Sequence, residues 1–564
     1  MKSVEQSCVA EWSWSTNREY GDPFNEVDVD VVFTDPRGEE RRIPAFWSGG
    51  GTWRARYASP LVGTHHYRTI CSDRTNRDLD GLQGSVRVVP YEGENPLLRH
   101  GPVRVAADGR HFEHADGTPF LWLGDTWWMA LCERLKWPGD FETLTMDRQE
   151  KGFSVVLIAV GLYPPKQLDE RSRNEAGWPW DKEYRQVNPA YFDLADRRIV
   201  RLVEAGLVPC IHACWGYVLA FMGMEKMQKH WRYLVARYSA YPVLWCLAGE
   251  AASTYQLNEW PGKKRTSAEG REELRKGWTE LARYLRAIDG QHHPITIHPG
   301  RWGHKEVEDP SVLDYLMYQP GHGGWIELLF SPDAKDMFQP PNGGWTILSR
   351  TVDLVEEGLA VEPKMPVLIG EVNYEGMAGS CGDNIQRFHF WSCMLSGAAG
   401  HTYGANGVWQ VSTREKRLGA SQCGLTYEGD TWEIACQLPG SKQLGLGKRL
   451  LERYPWWEFE AHPEWVEPHE SRQNRLLAYA AGVPGKVRVL FIPGHLGMLL
   501  FKGCVTIEKL ERDVEYRGLY FNPRSGEEHE IGQVRGDDEG RYVLPGPGLL
   551  QDWVVVLERS RAET

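Results

Sequence analysis

Two stretches, Leu244-Trp245-Cys246-Leu247-Ala248-Gly249-Glu250 and Val367-Leu368-Ile369-Gly370-Glu371, share one pattern: an apolar run, a glycine, then a glutamate. An unbroken apolar run of this length suits a strand covered on both faces, as in a parallel sheet. Six further runs lie around them: Phe120–Gly124, Ser154–Val160, Leu207–His212, Pro294–His298, Leu313–Gln319 and Ala398–Tyr403. Amphipathic helices are expected in several of the gaps. Asn188-Pro189 supplies a cap and a first-turn proline, Tyr191, Leu194, Ile199, Leu202 and Val203 make a stripe, and Gly206 closes it. Met224 to Tyr238 and Glu272 to Ile288 follow the same pattern. Strand–helix alternation over residues 104–450 predicts a (β/α)8 TIM barrel with insertions. The rival, an open doubly wound sheet, usually carries a phosphate-binding glycine loop. No G-x-G-x-x-G follows a strand here, and there is no Walker motif.

On either side the pattern changes to short strands and turns. Residues 1–100 contain the alternating Val27-Asp28-Val29-Asp30-Val31, the run Thr52–Tyr57, the run Thr64 to Ile70 and the turn signal Asp35-Pro36-Arg37-Gly38. Residues 465–564 contain Leu476–Ala480, Val487–Ile492, Arg541–Leu544 and Trp553–Leu557, with Asn522-Pro523-Arg524-Ser525-Gly526 as a turn. An N-terminal and a C-terminal β-sandwich are therefore expected to flank the barrel. A chain of 564 residues is too long for one core, which agrees with three regions. The two β-regions could line a pocket or support a homo-oligomer.

Composition narrows the partners. A net charge of −13 with no basic run argues against nucleic acid and anionic membrane surfaces. The 25 Trp and 23 Tyr suit a protein that stacks flat apolar faces against a ligand, and sugar rings present such faces. The start is polar, no run reaches about 18 apolar residues, and there is no Asn-x-Ser/Thr sequon. Eleven cysteines without paired spacing, several inside apolar runs, fit free thiols in a reducing compartment. A cytoplasmic protein is expected.

In a barrel the residues at the C-terminal strand ends converge on one face. Every predicted strand delivers a polar or aromatic group there. Glu250 and Glu371, on strands four and seven, are the expected catalytic pair. Glycosidic cleavage needs one acid to protonate the leaving oxygen and a second carboxylate across the bond. The expected substrate contacts are Asp125, Trp127, Trp128, Tyr163, His212, Trp215, His298, Gln319, Tyr374, His401 and Tyr403. Each has a plainer reading. Asp125 could cap its own turn, the histidines could be satisfied barrel residues, and half of Trp127, Trp128, Trp215 and Trp325 could simply pack. Tyr318 or Tyr374 could hold the attacking carboxylate ionised, and Glu375 could support it. Gly379-Ser380-Cys381-Gly382, just ahead of a helix at Asp383, reads as a substrate loop. The pairs His65-His66 and His292-His293 are poor metal sites because neighbours on a strand face opposite ways. No metal and no cofactor is expected.

The run Asp116 to Trp128 resembles the opening of the apiosidase-like glycoside hydrolase family. So do Lys151-Gly152-Phe153, Ala248-Gly249-Glu250, Gly370-Glu371 with Tyr374-Glu375, and Gly400-His401-Thr402-Tyr403-Gly404. Glu11-Trp12-Ser13-Trp14 with Asp80 to Gly84 resembles the β-sandwich often fused ahead of such barrels, and Phe521 to Gly526 resembles the β-domain that follows. The resemblance implies a retaining (β/α)8 glycosidase acting by double displacement, with Glu250 as acid/base and Glu371 as nucleophile. It departs in two places. Many clan members carry Asn just before the acid/base to hold the sugar 2-hydroxyl, and Gly249 stands there, leaving His212 or Gln319 for that task. Some relatives use Asp as the acid, so apiose specificity does not follow. The expected substrate is a carbohydrate, cleaved in exo fashion from small glycosides. The rivals are an inverting glycosidase or transglycosylase on the same barrel, a non-catalytic carbohydrate-binding protein, and a metal-dependent hydrolase. The last would want His-x-His after strand one, where Asp125-Thr126-Trp127 stands.

Overall fold

The computed structural model describes residues 2–162, 170–253, 267–322, 351–377, 381–417 and 430–560. Its centre is a sheet of eight parallel strands: β1 (Trp122–Thr126), β2 (Val155–Ala159), β3 (Val208–His212), β4 (Leu244–Cys246), β5 (Ile295–Thr296), β6 (Leu316–Tyr318), β7 (Val367–Ile369) and β8 (Gly400–Tyr403). β1 pairs with both β2 and β8, so the sheet curls into a barrel. The remaining seam, between β5 and β6, has no ladder. It is drawn together by Asp314 N–H on the Ile295 carbonyl (2.8 Å), Ile295 N–H on the Asp314 carboxylate (2.7 Å) and the Thr296 hydroxyl on the Tyr315 carbonyl (2.7 Å).

Among the described residues, the longer helices cover the outside: α1 (Gly139–Lys151), α2 (Pro189–Glu204), α3 (Met224–Tyr238), α4 (Ser267–Ile288), α5 (Thr351–Leu359), α6 (Asp383–Met394) and α7 (Pro439–Leu451). α2 starts as its sequence predicts, with Asn188 accepting the Tyr191 N–H and Pro189 in the first turn. Only short 3-10 turns, Gly303–Lys305 and Pro310–Val312, separate β5 from β6. Those turns bring Glu306 toward the rim. No helix among the described residues is long and apolar enough to cross a membrane.

β1 differs from its sequence reading. Pro119–Phe120 forms a separate strand in a small sheet with Phe112–His114 and Val103–Val105, and the barrel strand runs on to Thr126. Asp125 thus lies inside the strand, not beyond it.

Two flanking regions carry mostly antiparallel sheets. The N-terminal one has a five-stranded and a three-stranded sheet, cored by Phe33 stacked on Tyr57 at 3.9 Å. It is pinned to α2 and α3 by the buried Arg56, which reaches Asp196 (2.6 Å) and the Arg237 carbonyl (2.8 Å). The C-terminal one has a six-stranded and a three-stranded sheet. The turn at Asn522 to Gly526 joins Tyr516–Phe521 to Glu528–Val534, two strands the sequence reading had not singled out. Arg387 of α6 clamps Asp552 of this region at 3.0 Å.

Candidate active site

Strand register decides which side chains can reach the site. Partners in adjacent strands share a face, and faces alternate along each strand. Trp122, Gly124 and Thr126 of β1 share a face with Leu157 and Ala159 of β2, Cys210 and His212 of β3, Cys246 of β4, and Gly400 and Thr402 of β8. That face is the barrel interior: Cys210 Sγ lies against the Tyr315 hydroxyl, and Trp122 donates its N–H to the Thr402 hydroxyl. Asp125, His401 and Tyr403 share the other face and point into the helical layer.

This corrects four expected substrate contacts. Asp125 is fully buried and already occupied. It accepts from Arg148 Nε of α1 (2.6 Å), Trp127 Nε1 (2.6 Å) and Thr126 N–H (2.9 Å). Trp127 therefore turns outward with it, edge-on to Phe141 of α1 at 5.8 Å. His401 packs against Phe390 of α6 at 5.9 Å, and burial pushes its ring down to about 3, so it is neutral. The Tyr403 hydroxyl donates to Glu375 at 2.5 Å. Sequence order put these residues at the right strand ends, but the pleat turned them away.

The inward residues do converge. Glu371, just past β7, is 6% exposed. One carboxylate oxygen lies 3.2 Å from His298 Nε2. The other lies 3.0 Å from His322 Nε2 and accepts Gln319 Nε2 at 3.3 Å. Burial alone would raise the pKa of this carboxyl. The hydrogen bonds and charge of His298 and His322 outweigh it and hold the group below the usual carboxylate range. On its other side, the His322 ring accepts the Tyr374 N–H at Nδ1, at 3.4 Å.

Trp128 binds the cluster together. Its indole N–H donates to the Tyr374 hydroxyl (2.9 Å), and its ring meets His212 (4.6 Å), His298 (5.2 Å) and Trp215 (5.3 Å) edge to face. His212 is buried, and its Nε2 has no protein partner among the described residues. Burial, with His298 alongside, holds it well below its ordinary pKa and therefore neutral. Tyr318, one of two tyrosines considered as a support for Glu371, bonds His304 instead (2.8 Å). His322, which stands after β6, takes the supporting role together with His298. Its only sequence signal was that position.

Glu250 follows β4 on the same rim. Gly249 bridges to Trp215, and a Cβ at residue 249 would come within 2.6 Å of the Trp215 ring. That contact explains the missing Asn: no side chain fits beneath the tryptophan. Gly249 is thus joined through Trp215 and Trp128 to His298 and Glu371. Glu250 has a left-handed backbone, φ 44°, unusual for a residue with a Cβ. Sequence reading missed Glu306, a buried carboxyl beside this turn, pushed up to about 7 by burial. Tyr163, Trp325 and residues 379–380 of the expected substrate loop lie outside the described residues.

Barrel and site together define a (β/α)8 enzyme with its carboxylate centre at the C-terminal rim. A model of the apiosidase-like catalytic domain matches residues 106–458, and a domain of unknown function, DUF5060, matches residues 3–72. The chain belongs to the apiosidase-like family and is a glycoside hydrolase acting on carbohydrate. Solved structures share the fold. A glycoside hydrolase is 20% identical, over 83% of this chain and 99% of its own, with a TM-score of 0.64. A family 5 glycoside hydrolase from Bacteroides vulgatus is 20% identical, over 82% and 95%, with a TM-score of 0.65. Another structure from that organism is 17% identical, over 99% and 100%, with a TM-score of 0.68. No match was found among curated proteins.

Proposed function

We propose that this glycoside hydrolase works with retention, by double displacement, with Glu371 as nucleophile and Glu250 as acid/base. The Glu371 carboxylate attacks the anomeric carbon while the bond to the leaving oxygen breaks and Glu250 gives that oxygen its proton. Glu250, now anionic, takes a proton from water. The resulting hydroxide displaces Glu371 and restores both groups. One observation carries this reading. Glu371 is buried, faces inward and is kept anionic by His298 and His322. A carboxylate held in that state is prepared to attack, not to donate a proton.

Trp128 and Trp215 are proposed as the apolar walls that receive the sugar, and His212 Nε2 as a contact for a ring hydroxyl in place of the missing Asn. Gln319 is already engaged with Glu371. The substrate is proposed to be a small glycoside cleaved from its end, in the cytoplasm. Supporting the compartment, Cys71, Cys132, Cys210, Cys214, Cys246, Cys393 and Cys436 are buried free thiols.

A panel of aryl furanosides and pyranosides identifies the sugar, and NMR of the first-formed anomer reads the stereochemistry. Retention is expected; an inverted product overturns the nucleophile assignment. Glu371→Ala should lose turnover by on the order of 10⁴-fold with an unchanged circular-dichroism spectrum. Glu250→Ala should spare kcat/KM for aryl glycosides with acidic leaving groups, which need no protonation, while kcat falls because Glu250 also takes the proton from water.

A further inference from the structure

The turn that carries Glu250 is strained, and what holds it is visible. A residue with a Cβ at φ 44° is uncommon and persists only where its surroundings impose it. The peptide after Glu250 is gripped on both sides: Ala251 N–H donates to the His298 carbonyl (3.2 Å), and Trp278 Nε1 of α4 donates to the Ala251 carbonyl (2.8 Å). The next N–H, that of Ala252, donates to a side chain: the carboxyl of Glu306. Ser253 N–H then closes the turn on the Glu250 carbonyl at 2.9 Å.

Glu306 is 8% exposed and comes from the irregular segment between β5 and β6. Through its bond to the Ala252 N–H it ties the segment after β5 to the loop after β4. The charged groups acting on it are Glu250 across the turn and Arg271 on α4, while His304 and Lys305 precede it in its own segment. A buried carboxyl is a costly way to accept a backbone N–H group unless its position serves something.

We propose that Glu306 is a positioning residue for proton transfer: by accepting the Ala252 N–H it fixes the left-handed turn that aims Glu250 at the leaving oxygen. The proposal rests on Glu250 being the acid/base. Glu306 touches no reacting atom; it acts through the backbone of the Glu250 turn. Loss of the contact lets the turn relax, and a shift near 1 Å in a catalytic group costs on the order of 10²-fold.

The test compares two glycosides of one sugar, a dinitrophenyl glycoside that leaves without a proton and an alkyl glycoside that needs one. The readout is the ratio of their kcat/KM values, which is independent of how much enzyme folds. Glu306→Ala should raise the dinitrophenyl-to-alkyl ratio by about 10-fold or more. Glu306→Gln, whose amide oxygen still accepts the Ala252 N–H, should hold the ratio within about 3-fold of the parent. Glu250→Ala should raise the ratio furthest, and adding Glu306→Ala to it should change nothing more. If Glu250→Ala raises the ratio and Glu306→Ala does not, the positioning role fails alone. If Glu250→Ala leaves the ratio unchanged, the acid/base reading fails and takes this proposal with it.

Discussion

Glu371 and Glu375 follow the same strand, four residues apart, and both are buried, yet their environments drive them in opposite directions. Glu371 faces two imidazoles and the Gln319 amide and is held below the usual carboxylate range. Glu375 lies in the helical layer, where it meets the Tyr403 hydroxyl and the Gly440 N–H, and burial pushes it up to about 7. Burial by itself favours the neutral acid in both places. The difference comes from the donors: histidines that can carry charge stabilise an anion far more than a phenol and one peptide N–H do. One carboxyl is held as an anion on the inner side of the barrel, and the other is tied into the helical layer.

The strongest challenge to this contrast lies on the structural side. Arg148 is fully buried and binds Asp125, Asp147 and the Cys436 carbonyl, with its guanidinium over the Tyr403 ring. Arg148→Met leaves the Asp125 charge unpaired in the interior and removes the cation nearest Glu375. A stability loss of about 3–5 kcal/mol in urea unfolding is expected. A loss below about 1 kcal/mol would mean that the outward network is not structural.

His322→Ala tests the other side. It removes a charge-assisted hydrogen bond worth about 1.5–3 kcal/mol to the ionised Glu371. The Glu371 pKa should rise, so the acid limb of the kcat/KM profile should move to higher pH while thermal stability changes little. An unmoved acid limb would separate His322 from the ionisation of Glu371.

The smallest effect is expected at Glu375. Its folded-state pKa, about 7, lies above the ordinary value of 4.5. The carboxyl therefore contributes stability fully below about pH 4.5, and that contribution is lost as pH rises through about 7. Glu375→Gln keeps an oxygen for the Gly440 N–H but cannot ionise. Its Tm relative to the parent should become more favourable from pH 5 to pH 8, by the equivalent of about 2 kcal/mol. A difference that stays flat with pH would show that Glu375 does not titrate there.

Much of this was legible in the chain itself. All eight strand runs were readable because strands buried on both faces leave continuous apolar stretches. The cap at Asn188-Pro189 marked a helix start without help from tertiary contacts. Glu250 and Glu371 stood out because each ends such a run. The substrate contacts were less legible: Asp125, Trp127, His401 and Tyr403 sit at the same strand ends as Thr126 and Thr402, and one residue of pleat separates the inside of the barrel from the helical layer.

The amino-acid sequence alone determined the barrel, the strands that end in glutamate and the family, since these depend on local periodicity and on residue type. Tertiary structure decided which face each polar residue takes, that His298 and His322 meet Glu371, and that Glu306, 56 positions after Glu250, closes on the Ala252 N–H. Those contacts join elements far apart in the chain, and their energies arise only when closure of the barrel removes water from the groups that meet.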